Sequence, residues 1–176
     1  MGLEFRNLTA KEIDARVATV SDKGCSLLLY KDARCDMRIL DETVHPERWQ
    51  RKHELINGNL FCNVGINFPD KDGNDHWVWK QDVGVESYTE KEKGQASDAF
   101  KRACFCWGIG RELYTAPFIW IPAESVNLVQ KNGKTTTYDK FTVEQIIIEN
   151  GEIVALSIRN STQKKRVFLY DIREKK

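Results

Sequence analysis

The chain lacks the features that would tie it to a membrane, an oxidising compartment or a metal. No apolar run in its 176 residues approaches the roughly 20 that a membrane-spanning helix needs. No secretory leader is read at its start, and a membrane is not an expected partner. Its five cysteines are odd in number and contain no CxxC pair. That argues against both a disulfide framework and a zinc cluster, and leads to an expectation of free thiols in a reducing, cytoplasmic setting. Charge of one sign is missing too: 27 Lys and Arg stand against 26 Asp and Glu, a net +1. Composition therefore supplies no general attraction to polyanions, and any basic surface must be local. With 41% apolar and 30% charged residues, the chain has ordinary globular composition. Its length suits one domain, or a core with a small appendage.

The most informative stretch present is Thr89 to Tyr114, TEKEKGQASDAFKRACFCWGIGRELY. Thr89 and Glu92 have capping-box spacing, which predicts a helix start. Ala96, Ala99, Phe100, Ala103, Cys104 and Trp107 recur at helical spacing and predict one buried stripe. Gly108 can close the last turn in a left-handed conformation, and Gly110 lets the chain fold back. The remaining faces carry Lys91, Lys93, Asp98, Lys101 and Arg102, with Arg111 just beyond. By pattern alone this is a solvated helix face whose cations are balanced by Glu90, Glu92 and Asp98.

Ahead of this helix, Thr9 to Val20 reads as a modest amphipathic helix, with Ile13, Val17 and Val20 on one face and a second capping-box pair in Thr9 and Glu12. Cys25 to Tyr30 suits a strand. Ala33, Met37, Leu40 and Val44 predict a helix capped by Asp32 and stopped before Pro46, with Arg34 and Arg38 together on its exposed side. From Trp49 the period becomes two. Leu60, Cys62, Val64, Ile66 and Phe68 predict a strand with one buried face, paired through Asn57-Gly58 with Trp49 to Ile56. A turn at Asp72-Gly73 leads on to Trp77 through Val85. Trp77, Trp79, Val83 and Val85 face one way, and His76, Val78, Lys80 and Asp82 the other. The expectation is a three-stranded antiparallel meander crossed by the long helix.

After Pro122 the chain reads as hairpins around Asn132-Gly133 and Asn150-Gly151, with a last strand near Arg166 to Ile172. The expected class is α+β: a core domain over 1–123 and a small antiparallel β extension over 124–176.

Several apparent sites read as structural. Asp70, Asp72 and Asp75 have neither the glycine position nor the twelfth-position glutamate of a calcium loop. His45, His53 and His76 have no metal spacing, and Cys104 and Cys106 point apart on a helix. Gly108-Ile109-Gly110 follows a helix rather than a strand, the wrong context for a dinucleotide loop. Asn160-Ser161-Thr162 reads as a turn, and Lys164-Lys165-Arg166 as an exposed charged turn with a possible phosphate role. No metal or cofactor is expected.

Ser97-Asp98-Ala99-Phe100-Lys101-Arg102-Ala103 and Trp107-Gly108-Ile109-Gly110-Arg111 resemble the signature helix of the single-strand annealing proteins related to eukaryotic Rad-fifty-two, most closely the bacterial and phage (Sak-like) branch. The resemblance spans about Tyr30 to Pro122 and includes Asp82-Val83-Gly84. It departs from the eukaryotic motif at Trp107-Gly108-Ile109 and does not reach the C-terminal hairpins. It implies a curved antiparallel sheet crossed by a helix, with protomers assembled side by side into a ring or arc. It further implies a groove that holds the sugar-phosphate chain of single-stranded DNA with its bases turned outward.

On that resemblance Lys101 and Arg102 match the family's lysine-arginine pair and take the groove role. Arg34 lies near the family's basic residue on the preceding helix, within one residue of register, and Arg38 is a candidate for the same reason. Lys80, Lys91, Lys93 and Arg111 follow only from charge and expected face. The implied function is ATP-independent annealing in recombination and double-strand-break repair. The protein would be phage or prophage encoded and act in the host cytoplasm, with an exonuclease or a single-strand-binding protein as candidate partner. Such a mechanism needs no catalytic side chain, only cations on phosphates while base edges stay free. The alternatives are a protein that coats strands without annealing them, a metal-dependent nuclease drawing on Asp70, Asp72, Asp82 and Asp98, and an adaptor binding protein through exposed β-edges.

Overall fold

The computed structural model describes residues 2–85 and 91–173. In chain order the main elements are β1 (Asp14–Ser21), β2 (Gly24–Tyr30), α1 (Ala33–Val44), β3 (Trp49–Ile56), β4 (Asn59–Asn67), β5 (Trp77–Val83), α2 (Lys91–Trp107) and β6 (Ile119–Pro122). They are followed by β7 (Val129–Lys131), β8 (Lys134–Thr136), β9 (Phe141–Glu149), β10 (Glu152–Asn160) and β11 (Lys165–Asp171). All strand pairs are antiparallel, so the α+β class holds.

The chain forms two compact units and does not divide at 123/124 as expected. The first unit combines Met1–Arg6 with Asp32–Gly110. Its sheet has the order β3-β4-β5, the meander expected from the alternating pattern. Asn57-Gly58 turns the first hairpin with φ of 51° and 78°, the left-handed values a two-residue hairpin requires. Helix α1 starts where Asp32 accepts a hydrogen bond from the Cys35 amide at 2.9 Å. Its buried stripe is Cys35, Asp36, Ile39, Leu40 and Val44, so Met37 lies off the centre assigned to it. Helix α2 runs to Trp107 and packs on β4 and β5. Gly108 (φ 106°) ends it, with the Ile109 amide returning to the Cys104 carbonyl. Thr89, expected to cap this helix, lies outside the described residues.

The second unit combines Asn7–Lys31 with Arg111–Lys176. Here the sequence reading needs two corrections. The segment Thr9 to Val20 is not a helix. The Thr9 and Glu12 capping box forms, but it closes a single 3-10 turn over Ala10–Glu12, and the chain then extends into β1. One turn is too short to propagate, and β-branched Val17, Thr19 and Val20 gain more from pairing with β2.

The C-terminal hairpins are not an appendage either. β9, β10 and β11 join β1, β2 and β6 in one six-stranded sheet of order β11-β10-β9-β1-β2-β6. The junction is the pairing of Asp14 with Thr142 and of Ala15 with Phe141. The sheet curls until its outer strands, β6 and β11, have Cα atoms within 8 Å of each other. β7 and β8 form a separate short ribbon. Asp139 fastens this unit: it is 8% exposed and accepts from the Asn127 amide (2.9 Å), Asn127 Nδ2 (2.9 Å), Asn160 Nδ2 (2.7 Å) and Gln163 Nε2 (3.1 Å).

Candidate nucleic-acid interface

The candidate cations of the first unit lie on α1, β5 and α2, and the contacts of α2 with the sheet fix which way its side chains leave. Antiparallel partners share a face, so Arg51, Cys62 and Val64, and Lys80 and Asp82, lie on the side that α2 covers. Phe100 is fully buried there, stacked 6.0 Å from Trp49 and 4.8 Å beneath the Arg51 guanidinium. Two residues on, Arg102 turns toward β5, where Nη2 lies 3.2 Å from Asp82 Oδ2 and 3.3 Å from Oδ1. Lys101 sits between them, about 100° from each around the helix, and so leaves on the side away from the sheet. It is partly exposed, and no carboxylate pairs with it among the described residues.

The lysine and arginine are thus neighbours in sequence with different situations. The Arg102 side chain keeps 40% exposure beside an Asp82 at 25%, but part of its charge is already offset, and its Nε is buried without a hydrogen-bond partner. Sequence reading assigned the arginine to a ligand and placed Asp82 in the Asp82-Val83-Gly84 match and among the acids of the nuclease alternative. The structure shows that motif as the seat of α2. Asp82 holds Arg102, and Gly84 brings the strand end against the helix, where a Cβ would stand 2.2 Å from the Gln95 carbonyl oxygen and 2.9 Å from Ala99 Cβ. Only glycine opposite alanine permits that approach.

Lys80 is committed locally. Its ammonium donates to the Cys106 carbonyl at 3.0 Å and lies 4.6 Å from the centre of the Trp107 ring. A cation at a helix C-terminus complements the negative end of the helix dipole, which gives Lys80 a structural role. Arg34 and Arg38 are exposed on α1, which packs beside α2 in the same unit. Lys93 is exposed on α2, whereas the side chain of Lys91 lies outside the described residues. Arg111 is exposed at the start of the 3-10 turn Arg111–Thr115 and belongs to the second unit.

The opposite sheet face was not singled out from sequence as a site. The register sets Lys52, Asn63 and Gln81 side by side on it, with Gly65 opposite Trp79. Both helices lie on the other side. Asn63 is 8% exposed and its Nδ2 has no hydrogen-bond partner, an arrangement that costs about 1–3 kcal/mol. The alternation had shown Trp77 and Trp79 sharing a face; what it could not show was that both helices pack on the other one.

The acidic loop after β4 is a hydrogen-bonded turn: Asp70 accepts from the Asp72 and Asn74 amides and from Asn74 Nδ2. The Asn74 side chain leads these bonds in holding the Asp70 carboxyl below its usual range. Among the described residues no three His, Cys, Asp or Glu side chains gather in a way that could hold a metal ion. All five cysteines are free, and burial pushes the Cys25 and Cys62 thiols up to about 11. No described helix is long and apolar enough to cross a membrane. No protein-family model matches the chain, and no curated protein matches it.

Proposed function

We propose that the chain binds single-stranded DNA and anneals complementary strands without ATP, in recombination and double-strand-break repair, as a phage or prophage protein acting in the host cytoplasm. The observation that carries this reading is Lys101, directed away from the sheet and unpaired by any carboxylate among the described residues, at the position that matches the family's phosphate-binding lysine. Arg34 and Arg38 on the adjacent helix add exposed positive charge, and Arg102 adds a guanidinium steadied by Asp82. Each phosphate neutralised on a single strand contributes about 0.7 to the salt slope.

Assembly into a ring or arc is part of the proposal. β3 and β5 each leave one edge without a strand partner among the described residues, and β3 is exposed along nearly its whole length. Repetition of subunits would multiply weak phosphate contacts by avidity. An exonuclease or a strand-coating protein is a further proposed partner.

The test is an annealing assay on complementary oligonucleotides with no nucleotide cofactor, run beside electron microscopy of the same sample. Accelerated duplex formation together with rings or arcs is expected. Binding without annealing would point to a strand-coating protein. Shortening of labelled strands on addition of magnesium would point to a nuclease, and absence of binding would overturn the reading.

A further inference from the structure

The face of the β3-β4-β5 sheet turned away from both helices carries two tryptophans laid against the strands. The Trp79 indole lies across Gly65 so closely that a Cβ there would stand 2.7 Å from three of its ring atoms. Trp77 stacks beside it with ring centres 5.9 Å apart and planes 27° from parallel. Trp79 remains 39% exposed. Lys52 Nζ lies 5.1 Å from its ring centre and 3.3 Å from Glu54 Oε1, on a side chain that is itself 56% exposed. Next to Lys52 in the register is Asn63, nine-tenths buried with an amide nitrogen that lacks an acceptor. The face therefore offers flat π surfaces beside a half-exposed cation, with an unmet donor buried beneath them.

We propose that this face is a stacking platform for the bases of a single-stranded nucleic acid. Trp77 and Trp79 each take one base by its flat face, which leaves the base edges free. Lys52 swings off the indole and away from Glu54 toward the adjoining phosphate. Stacking of this kind is sequence-tolerant because every base has a π face.

A second copy of the chain fits the face less well. The two indoles offer on the order of 100–200 Å² of apolar surface, against roughly 800 Å² per partner in a stable interface. Lys52, Glu54 and Gln81 stand beside them, where a protein interface would be depleted in charge. The inference rests on the single-strand-binding reading and adds to it a contact made through bases rather than phosphates.

The test uses the full chain with a thymidine oligonucleotide and an abasic strand of equal length, following tryptophan fluorescence and affinity across a salt series. The wild type is expected to bind the thymidine strand more tightly, with quenching. Trp79→Leu should lose about 5- to 100-fold in affinity for it, with an unchanged salt slope and unchanged binding to the abasic strand. Trp79→Phe, which keeps a π face and serves if the leucine variant does not fold, should retain most of the affinity. Gly65→Ala, which lifts the ring from the sheet, should behave like Trp79→Leu. Lys101→Ala should weaken both strands alike.

Equal wild-type affinity for the two strands, or an unaltered Trp79→Leu titration, would overturn the platform and leave phosphate binding standing. A changed sedimentation coefficient in Trp79→Leu with unchanged affinity would identify the face as a contact between copies and likewise overturn it. Failure of the wild type to bind either strand would overturn both readings.

Discussion

The Arg102 guanidinium stands 3.2 Å from the Asp82 carboxylate, so the middle of α2 is tied to β5 through the residue directly after Lys101. One member of the basic pair thereby has a fold-supporting partner, and the other has none among the described residues. That asymmetry separates their mutational effects.

Lys101→Ala should leave thermal stability unchanged and lower the slope of log affinity against log salt by about 0.7 on single strands. Arg102→Ala should weaken binding as well, but it also strands Asp82 and should cost up to about 1 kcal/mol of stability, the upper range for a partly exposed pair. Salt titrations beside denaturant unfolding of both variants measure this. Equal stability loss in the two, or an unchanged slope in Lys101→Ala, contradicts the assignment.

Gly84→Ala should destabilise the first unit by about 1–3 kcal/mol. Its new Cβ would meet the Gln95 carbonyl oxygen and the Ala99 backbone, neither of which is a flexible side-chain end. Chemical denaturation reads the loss. Binding should weaken in proportion to the displacement of α2 from β5.

Asp139 sets an acid limit on the second unit. Burial by itself raises its pKa, but the donors from Asn127, Asn160 and Gln163 outweigh this and hold the carboxyl below its ordinary range. A folded-state pKa lowered in this way contributes stability that is complete above the unfolded value of about 3.9. That contribution is lost as pH falls through the lower folded value. Asp139→Ala should remove this dependence and cost about 1–3 kcal/mol at neutral pH, because fully buried Asn160 loses the nearer of its two acceptors and the Asn127 amide loses its partner. Unfolding midpoints measured from pH 7 down to 2 on both proteins provide the check.

Thiol labelling of the native protein should begin at Cys106, the one cysteine of the five that is not buried. Cys25 and Cys62, with pKa values pushed up to about 11, should react only on unfolding. Mass spectrometry after brief alkylation at pH 8 distinguishes them.

Local pattern alone determined the first unit's elements. Alternation along Leu60 to Ile66, the Asn57-Gly58 turn and the alanine stripe of α2 are short-range signals, and each is enforced by backbone sterics or by the solvent exposure of one face. The same logic misread Thr9 to Val20, because a capping box specifies only a first turn, and whether it propagates depends on competing partners. Those partners, Cys25 to Tyr30 and the distant Phe141 and Thr142, were decided by tertiary structure alone. The C-terminal hairpins became part of one sheet for the same reason: strand pairing across more than a hundred residues leaves no periodic trace in either partner. At the candidate site, the chain by itself placed Lys101 and Arg102 on one helix. Only the folded structure sent one outward and gave the other to Asp82, since a turn of about 100° per residue becomes a difference in environment only once a sheet lies on one side.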